Sequence, residues 1–267
     1  MTNNLIQPLI FNIPKNNFNE TFVNTPAEMY IYEFSSDKKS DITISLIPSP
    51  YNEWIIGYNT SNKQACFYCI GAVTKLTTVK VKSFENYFCV RFGDKGCYFN
   101  NNVPDDTYPV NMLNNVFDYS PEEDSFEYKL INSFRTVKSF KERLRLFNEF
   151  LKDSKSYIKV PSNVTTITDI IKKHKGNITI SLIAEQLGYS ERHISRIFNS
   201  VYGFSTKDYC KYIRFQNTLS EIMSNPSREN SEFMANTGYS DQAHFQREFK
   251  SFTGMTPKQF IKQYKNQ

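Results

Sequence analysis

Two sets of polar side chains in this sequence are suited to reading the edges of nucleic-acid bases. Arg192, Ser195, Arg196 and Asn199 form the first, and Gln242, Ala243, Gln246, Arg247 and Lys250 form the second. Residues three and four apart share one face of a helix, so each set makes a single stripe. Arginine can donate two hydrogen bonds to guanine O6 and N7, and glutamine can pair both ways with adenine. A merely solvated helix face would mix Glu and Lys without such selection. Ala243 offers no hydrogen-bonding side-chain atom, which predicts looser reading by the second set than by the first.

The elements that must position these stripes occur twice. One copy runs from Ile183 as I-A-E-Q-L-G-Y-S-E-R-H-I-S-R-I-F-N, the other from Phe233 as F-M-A-N-T-G-Y-S-D-Q-A-H-F-Q-R-E-F-K. The copies keep one offset from Ile183/Phe233 to Ser190/Ser240 and a longer one from His193/His244 onward. One extra residue is therefore expected at the start of the second copy's last helix. Such self-similarity outranks any single motif. Each copy reads as a short apolar helix, a glycine turn, a capping serine and a longer helix. Leu182, Ile183 and Leu187 are expected to face inward on the first short helix. On the helix that follows, Ile194, Ile197, Phe198 and Val201 face inward and Gly203 ends the run. Phe245, Phe249 and Phe252 play the same part in the second copy. Between the copies, Ser205 to Ser224 predicts one helix, capped by Ser205 with Asp208 three residues on and stopped by Asn225-Pro226. It would be about 30 Å long at 1.5 Å per residue. One turn of B-DNA is about 34 Å, so such a connector would set two reading helices in successive major grooves. Any shortfall would be met by bending the duplex.

The tandem units, the linking helix and the run G-Y-S-D-Q-A-H-F-Q-R-E-F-K-S-F-T-G-M-T-P resemble the DNA-binding domain of AraC/XylS transcription regulators. The resemblance covers about the last hundred residues. It implies base contacts from Arg192, Ser195 and Arg196 in the first unit and from Gln242, Gln246 and Arg247 in the second. It also implies an amino-terminal cupin-like β-barrel that senses a small-molecule effector, and a homodimer through a helical pair at 126–152. Activation of transcription is the commoner mode in that family, with RNA polymerase as a partner. One departure stands out besides Ala243: Met234 occupies a place where the family usually has a small residue.

The overall class is α+β, with a β-rich regulatory and dimerisation domain at 1–155, a linker at 156–165 and an all-α DNA-binding domain at 166–267. The chain of 267 residues is long enough for two cores. Its net charge is +5, and residues 161–267, with 14 basic and 9 acidic side chains, hold the whole excess. A modest excess suits a protein that adds base contacts to phosphate attraction. No apolar run of about 18 residues occurs, so no membrane span is expected. The first residues lack the basic-then-apolar pattern of a secretory signal. A cytoplasmic protein with reduced thiols is the expectation.

Before residue 110 the chain reads as strands at 29–34, 42–47, 54–59, 65–73, 77–82 and 87–92, separated by turn formers. After Ser125 the period changes. Phe126, Leu130 and Phe134 suit one helix; Phe140, Leu144, Phe147 and Leu151 suit a second, capped by Ser139 with Glu142 three residues on. The polar stretch 153–165 reads as linker, with a helix from Thr166 to His174. Packing on their own barrel and pairing with a second copy are equally open to the two helices.

Other chemistry has fewer supports. Cys66 and Cys69 have the spacing of a zinc half-site or redox pair, and with Cys89 and Cys97 they would carry an alternative function as a thiol- or metal-responsive regulator. In a strand, however, side chains three apart point to opposite faces. His174, His193 and His244 all lie in the repeat half, so the amino-terminal half lacks the imidazole that iron, zinc or nucleophile sites ordinarily use. No cofactor, metal site or catalytic residue is expected. Trp54, Tyr58, Phe67, Tyr68, Tyr87, Phe88 and Phe92 could line a sensing cavity, with Arg91 or Lys80 holding an anionic group, or could be plain core.

Overall fold

The computed structural model describes residues 18–23, 28–36, 40–98, 113–153, 157–224 and 237–265. Met234 and the Asn225-Pro226 stop lie outside them. The amino-terminal elements are β1 (Asn19–Val23), β2 (Met29–Ser35), β3 (Ile42–Leu46), β4 (Glu53–Tyr58), β5 (Ala65–Ile70), β6 (Thr77–Val81), β7 (Asn86–Phe92), β8 (Gly96–Tyr98) and β9 (Val116–Tyr119). Helices α1 (Phe126–Thr136) and α2 (Phe140–Asp153) follow, then β10 (Tyr157–Lys159) and α3 (Ser162–Lys173). The last helices are α4 (Ile180–Leu187), α5 (Glu191–Tyr202), α6 (Thr206–Ser224), α7 (Gln242–Thr253) and α8 (Pro257–Lys265).

The strands form a six-stranded antiparallel sheet in the order β1-β2-β7-β4-β5-β9, with β3-β6 and β10-β8 as separate two-stranded pairs. Its central strands are buried along nearly their whole length because both faces are covered. On one face Met29, Ile31, Trp54, Ile56, Phe88 and Val90 pack against Leu130, Ile131, Phe134, Phe147, Phe150 and Leu151 of α1 and α2. On the other, Tyr32, Phe34, Ile55, Tyr68 and Tyr87 pack against Ile42, Ile44, Val79 and Val81 of the β3-β6 pair. The result is three layers, helices on sheet on ribbon. The expected barrel is thereby corrected: among the described residues no closed barrel forms, because β3 and β6 pair with each other rather than joining the large sheet. Gly57 lets the Phe84 ring close one corner; a Cβ there would lie 2.3 Å from that ring.

Apart from the exposed Phe126, the apolar sides of α1 and α2 pack on their own sheet, and Arg143 of α2 adds two hydrogen bonds to Glu33 of β2, at 2.7 and 2.9 Å. The predicted Ser139–Glu142 capping box forms. The stretch read as linker is more ordered than its composition suggests. It contains β10, which pairs with β8, and α3 begins at Ser162, four residues before the expected start. Among the described residues no helix is long and apolar enough to cross a membrane.

The carboxy-terminal helices share one apolar cluster, including Ile167 and Ile171 of α3, Ile183 of α4, Ile194 and Phe198 of α5, Ile213 and Phe215 of α6, and Phe245 and Phe249 of α7. Ile47, Tyr51 and Ala72 of the strand half belong to the same cluster. The two halves therefore meet through core-like packing.

Candidate nucleic-acid interface

Both reading helices begin and end alike. At α5 the Ser190 hydroxyl accepts from the His193 amide at 3.2 Å, and at α7 an Asp241 carboxylate oxygen accepts from the His244 amide at 2.7 Å. Each helix has 12 residues and closes on a left-handed glycine, Gly203 or Gly254. Before each stands a second left-handed glycine, Gly188 or Gly238, where a residue with a Cβ would be strained. Tyr189 then meets the His193 ring edge-on, as Tyr239 meets His244.

The expected capping serine holds for the first copy and needs correction for the second. Ser190 and Asp241 are the equivalent caps, so the extra residue is Ser240, in the turn before α7 rather than inside it. A carboxylate accepts more strongly from helix amides than a hydroxyl. Ser240 is left to bond Asp241 and the His244 ring. The His244 amide first, and then Ser240, hold the Asp241 carboxyl below its ordinary value.

With the caps aligned, every stripe residue finds its place. Arg192, Ser195, Arg196 and Asn199 are exposed on α5, and Gln242, Ala243, Gln246, Arg247 and Lys250 are exposed on α7. Ile194, Phe198, Phe245, Phe249 and Phe252 are buried beneath them, as predicted. Arg196 touches the His193 ring at 3.3 Å, a weak hold that leaves its guanidinium free to reach outward. The described ion pairs that Lys and Arg make within this domain fall on other cations: Lys211 with Asp208, Lys175 with Glu221, and Arg214 with Glu248. Leu182 was expected inside and is exposed, because Ile183, Ala184 and Leu187 fill the inner side of this eight-residue helix.

The connector matches its prediction. The 19 residues of α6 span about 28 Å, and Ser205 and Asp208 cap each other at 2.6 and 3.1 Å. Eleven of its positions are buried, so it is a central column rather than a solvated rod.

Residues 183–263 match a family model described as a helix-turn-helix domain. They are a helix-turn-helix domain of AraC type. Relatives of this AraC-type domain carry regulator names. The chain is 27% identical over 104 residues to the Msm operon regulatory protein of Streptococcus mutans, covering 39% of this chain and 37% of that protein. It is 28% identical over 98 residues to an uncharacterized HTH-type transcriptional regulator of Staphylococcus aureus, covering 36% of this chain and 13% of that protein. The chain thus spans little more than a third of the first relative's length and about an eighth of the second's. Among solved structures, apo ToxT from Vibrio cholerae superposes with TM-score 0.51 and 12% identity over 90% of this chain and 98% of its own. A further ToxT crystal form gives 0.51 and 11% over 88% and 98%. At such identities the likeness is one of fold: a strand-rich half joined to an AraC-type domain.

The alternative thiol chemistry finds poor geometry. Cys66 faces the ribbon side of the sheet and Cys69 the helix side, so they cannot share one ion. Burial pushes Cys69 up to about 12 and raises Cys66 and Cys89 as well, away from the reactive thiolate. The Cys97 side chain lies outside what the structure describes. The aromatic candidates divide likewise: Trp54, Tyr58, Phe67, Phe88 and Phe92 pack under the helices, while Tyr68 and Tyr87 pack under the ribbon. Arg91 is buried against Glu53 at 2.8 Å, and Lys80 is exposed beside Asp41 at 3.7 Å. They form two cores and do not line one shared cavity.

Proposed function

We propose that this chain is a sequence-specific transcription regulator that inserts α5 and α7 into adjoining major grooves of double-stranded DNA. The observation that carries the reading is the matched pair of capped helices. Each buries its aliphatic or phenylalanine side in one cluster and presents Arg, Gln, Ser, Asn or Lys outward. In this reading Arg192, Ser195, Arg196 and Asn199 serve the first unit, and Gln242, Gln246, Arg247 and Lys250 the second. The strand half adjusts binding in response to a small-molecule effector, as the family resemblance implies, and the apolar cluster shared with the DNA-binding half couples the two. Activation through contact with RNA polymerase follows the family resemblance alone. A homodimer through 126–152 follows the same resemblance and would use the outer sides of those helices, whose inner sides cover their own sheet.

The test is selection of duplexes from a randomised pool, followed by binding measurements on the selected sequence. Arg196→Ala and Arg247→Ala should each weaken specific binding by about 1–3 kcal/mol and relax preference at one position. If neither variant changes affinity or preference, the base-reading assignment is wrong.

A further inference from the structure

The two copies differ at one inward-flanking position. Ile197 of α5 corresponds to Glu248 of α7 when the caps are aligned. Ile197 packs against the apolar cluster, as an amphipathic helix requires. Glu248 occupies a comparably covered place, its side chain only 9% exposed. A carboxylate is costly to bury unless it is paired and hydrogen-bonded. Its partner is Arg214 of α6, 14% exposed, which reaches both carboxylate oxygens at 3.2 and 3.1 Å. The same guanidinium lies over the Tyr239 ring, 4.9 Å from its centre, in the turn that precedes α7. The His244 ring stands 3.9 Å from Glu248 on the helix's outer side.

The first unit reaches the same spot from the other direction. Gly176, in the loop between α3 and α4, lies so close to α6 that a Cβ would be 2.3 Å from the Cys210 carbonyl and 2.6 Å from the Arg214 amide. The next residue, Asn177, abuts the turn of the second unit: a Cβ on Gly238 would lie 2.5 Å from its side chain. The loop leading into the first unit, the connector and the turn of the second unit therefore converge on Arg214.

We infer that Arg214, Glu248, Asn177 and Gly238 form a joint that fixes the two reading helices relative to each other and so sets the half-site spacing the protein accepts. None of the four carries base-reading chemistry from this position; they are positioning residues. Apolar packing seats α7 on α6, and the Arg214 Nη2, bonded to both Glu248 oxygens, together with the Asn177–Gly238 contact on another side, holds α7 in one rotation about the connector. The inference rests on the two-groove reading above.

The experiment uses the full chain and duplexes carrying the sequence that wild-type protein selects, with one base pair inserted or removed between half-sites, at one fixed salt concentration. Wild type should bind the altered spacings poorly. Glu248→Gln and Asn177→Ala should reduce that penalty by about tenfold, on the scale of one mismatched base pair, while leaving base preference within each half-site unchanged. The charge-exchanged variant Arg214→Glu/Glu248→Arg should recover spacing discrimination. Unchanged spacing penalties in both single variants would overturn the joint, as would loss of base preference with spacing intact. If Glu248→Gln loses its helical signal, Asn177→Ala and the exchanged variant decide by the same criteria. Failure of wild type to enrich any duplex would instead sink the two-groove reading, and the joint's role with it.

Discussion

At the scale of single residues, α5 and α7 separate two kinds of contact. Arg196 and Arg247 are forked donors placed for base edges, whereas Lys250, exposed in the last turn of α7, is a point charge suited to phosphate. Lys250→Ala should therefore weaken binding to selected and unrelated duplexes alike and lower the salt slope by about 1. A loss confined to the selected sequence, with the slope unchanged, would reassign Lys250 to base reading. The outward stripes were legible because periodicity alone separates them from Ile194, Phe198, Phe245 and Phe249. Glu248 was not legible as a joint. Its partner lies 34 positions away on another helix, and the one clue was its mismatch with Ile197, visible only once Asp241 rather than Ser240 is aligned with Ser190.

At the scale of elements, capping explains why the starts of α2, α5 and α6 were predicted and that of α3 was not. Ser139, Ser190 and Ser205 sit where their side chains take the first amides of α2, α5 and α6, as the sequence signals. The start of α3 follows Pro161, which supplies no side-chain cap, so its first turn carried no such signal. The strands were legible from their β-branched and aromatic runs, but burial on both faces hides which face meets what. The open sheet could not be told from a barrel for that reason. The connector's cap gives a pH test. Burial would raise the Asp208 carboxyl, but hydrogen bonds from Ser205 and then Lys211 outweigh it and leave its value lowered. A depressed carboxyl contributes stability above its unfolded value, near pH 4, and loses it as pH falls through the folded value. Asp208→Asn should thus cost roughly 0.5–1 kcal/mol at pH 7, discounted for solvent screening, and progressively less as the pH is lowered below about 4. Chemical unfolding of both proteins across that range measures the difference, and a gap that does not shrink as the pH falls would mean the carboxylate charge is not what stabilises the cap.

At the scale of the molecule, the junction between halves decides whether the strand half can influence DNA binding. Lys172 of α3 reaches Asp94, in the turn after β7, and Glu28, just before β2. Burial would lower the Lys172 amine, but the Asp94 carboxylate and its neighbours outweigh this and raise it, so the amine stays charged at neutral pH. Around it, Gln216 of α6 donates to the Pro48 carbonyl at 3.4 Å, Val160 donates to the Lys95 carbonyl at 3.0 Å, and Leu76 lies against Gly254 after α7. None of this was visible beforehand, since Lys172 reads as a solvated helix charge and Ile47 and Ala72 as strand ends. An apolar cluster that crosses the junction should make the two halves unfold together. Trp54, the single tryptophan, lies in the strand half, and helical circular dichroism reports mainly on the other. Their denaturation curves should coincide. Lys172→Met leaves Asp94, 1% exposed, buried without its cation, and should lower both midpoints together by about 3–5 kcal/mol of stability. Two separate transitions in the wild-type protein would show that the halves fold as independent bodies. In that case an effector bound to the strand half would have no packed route to α5 and α7.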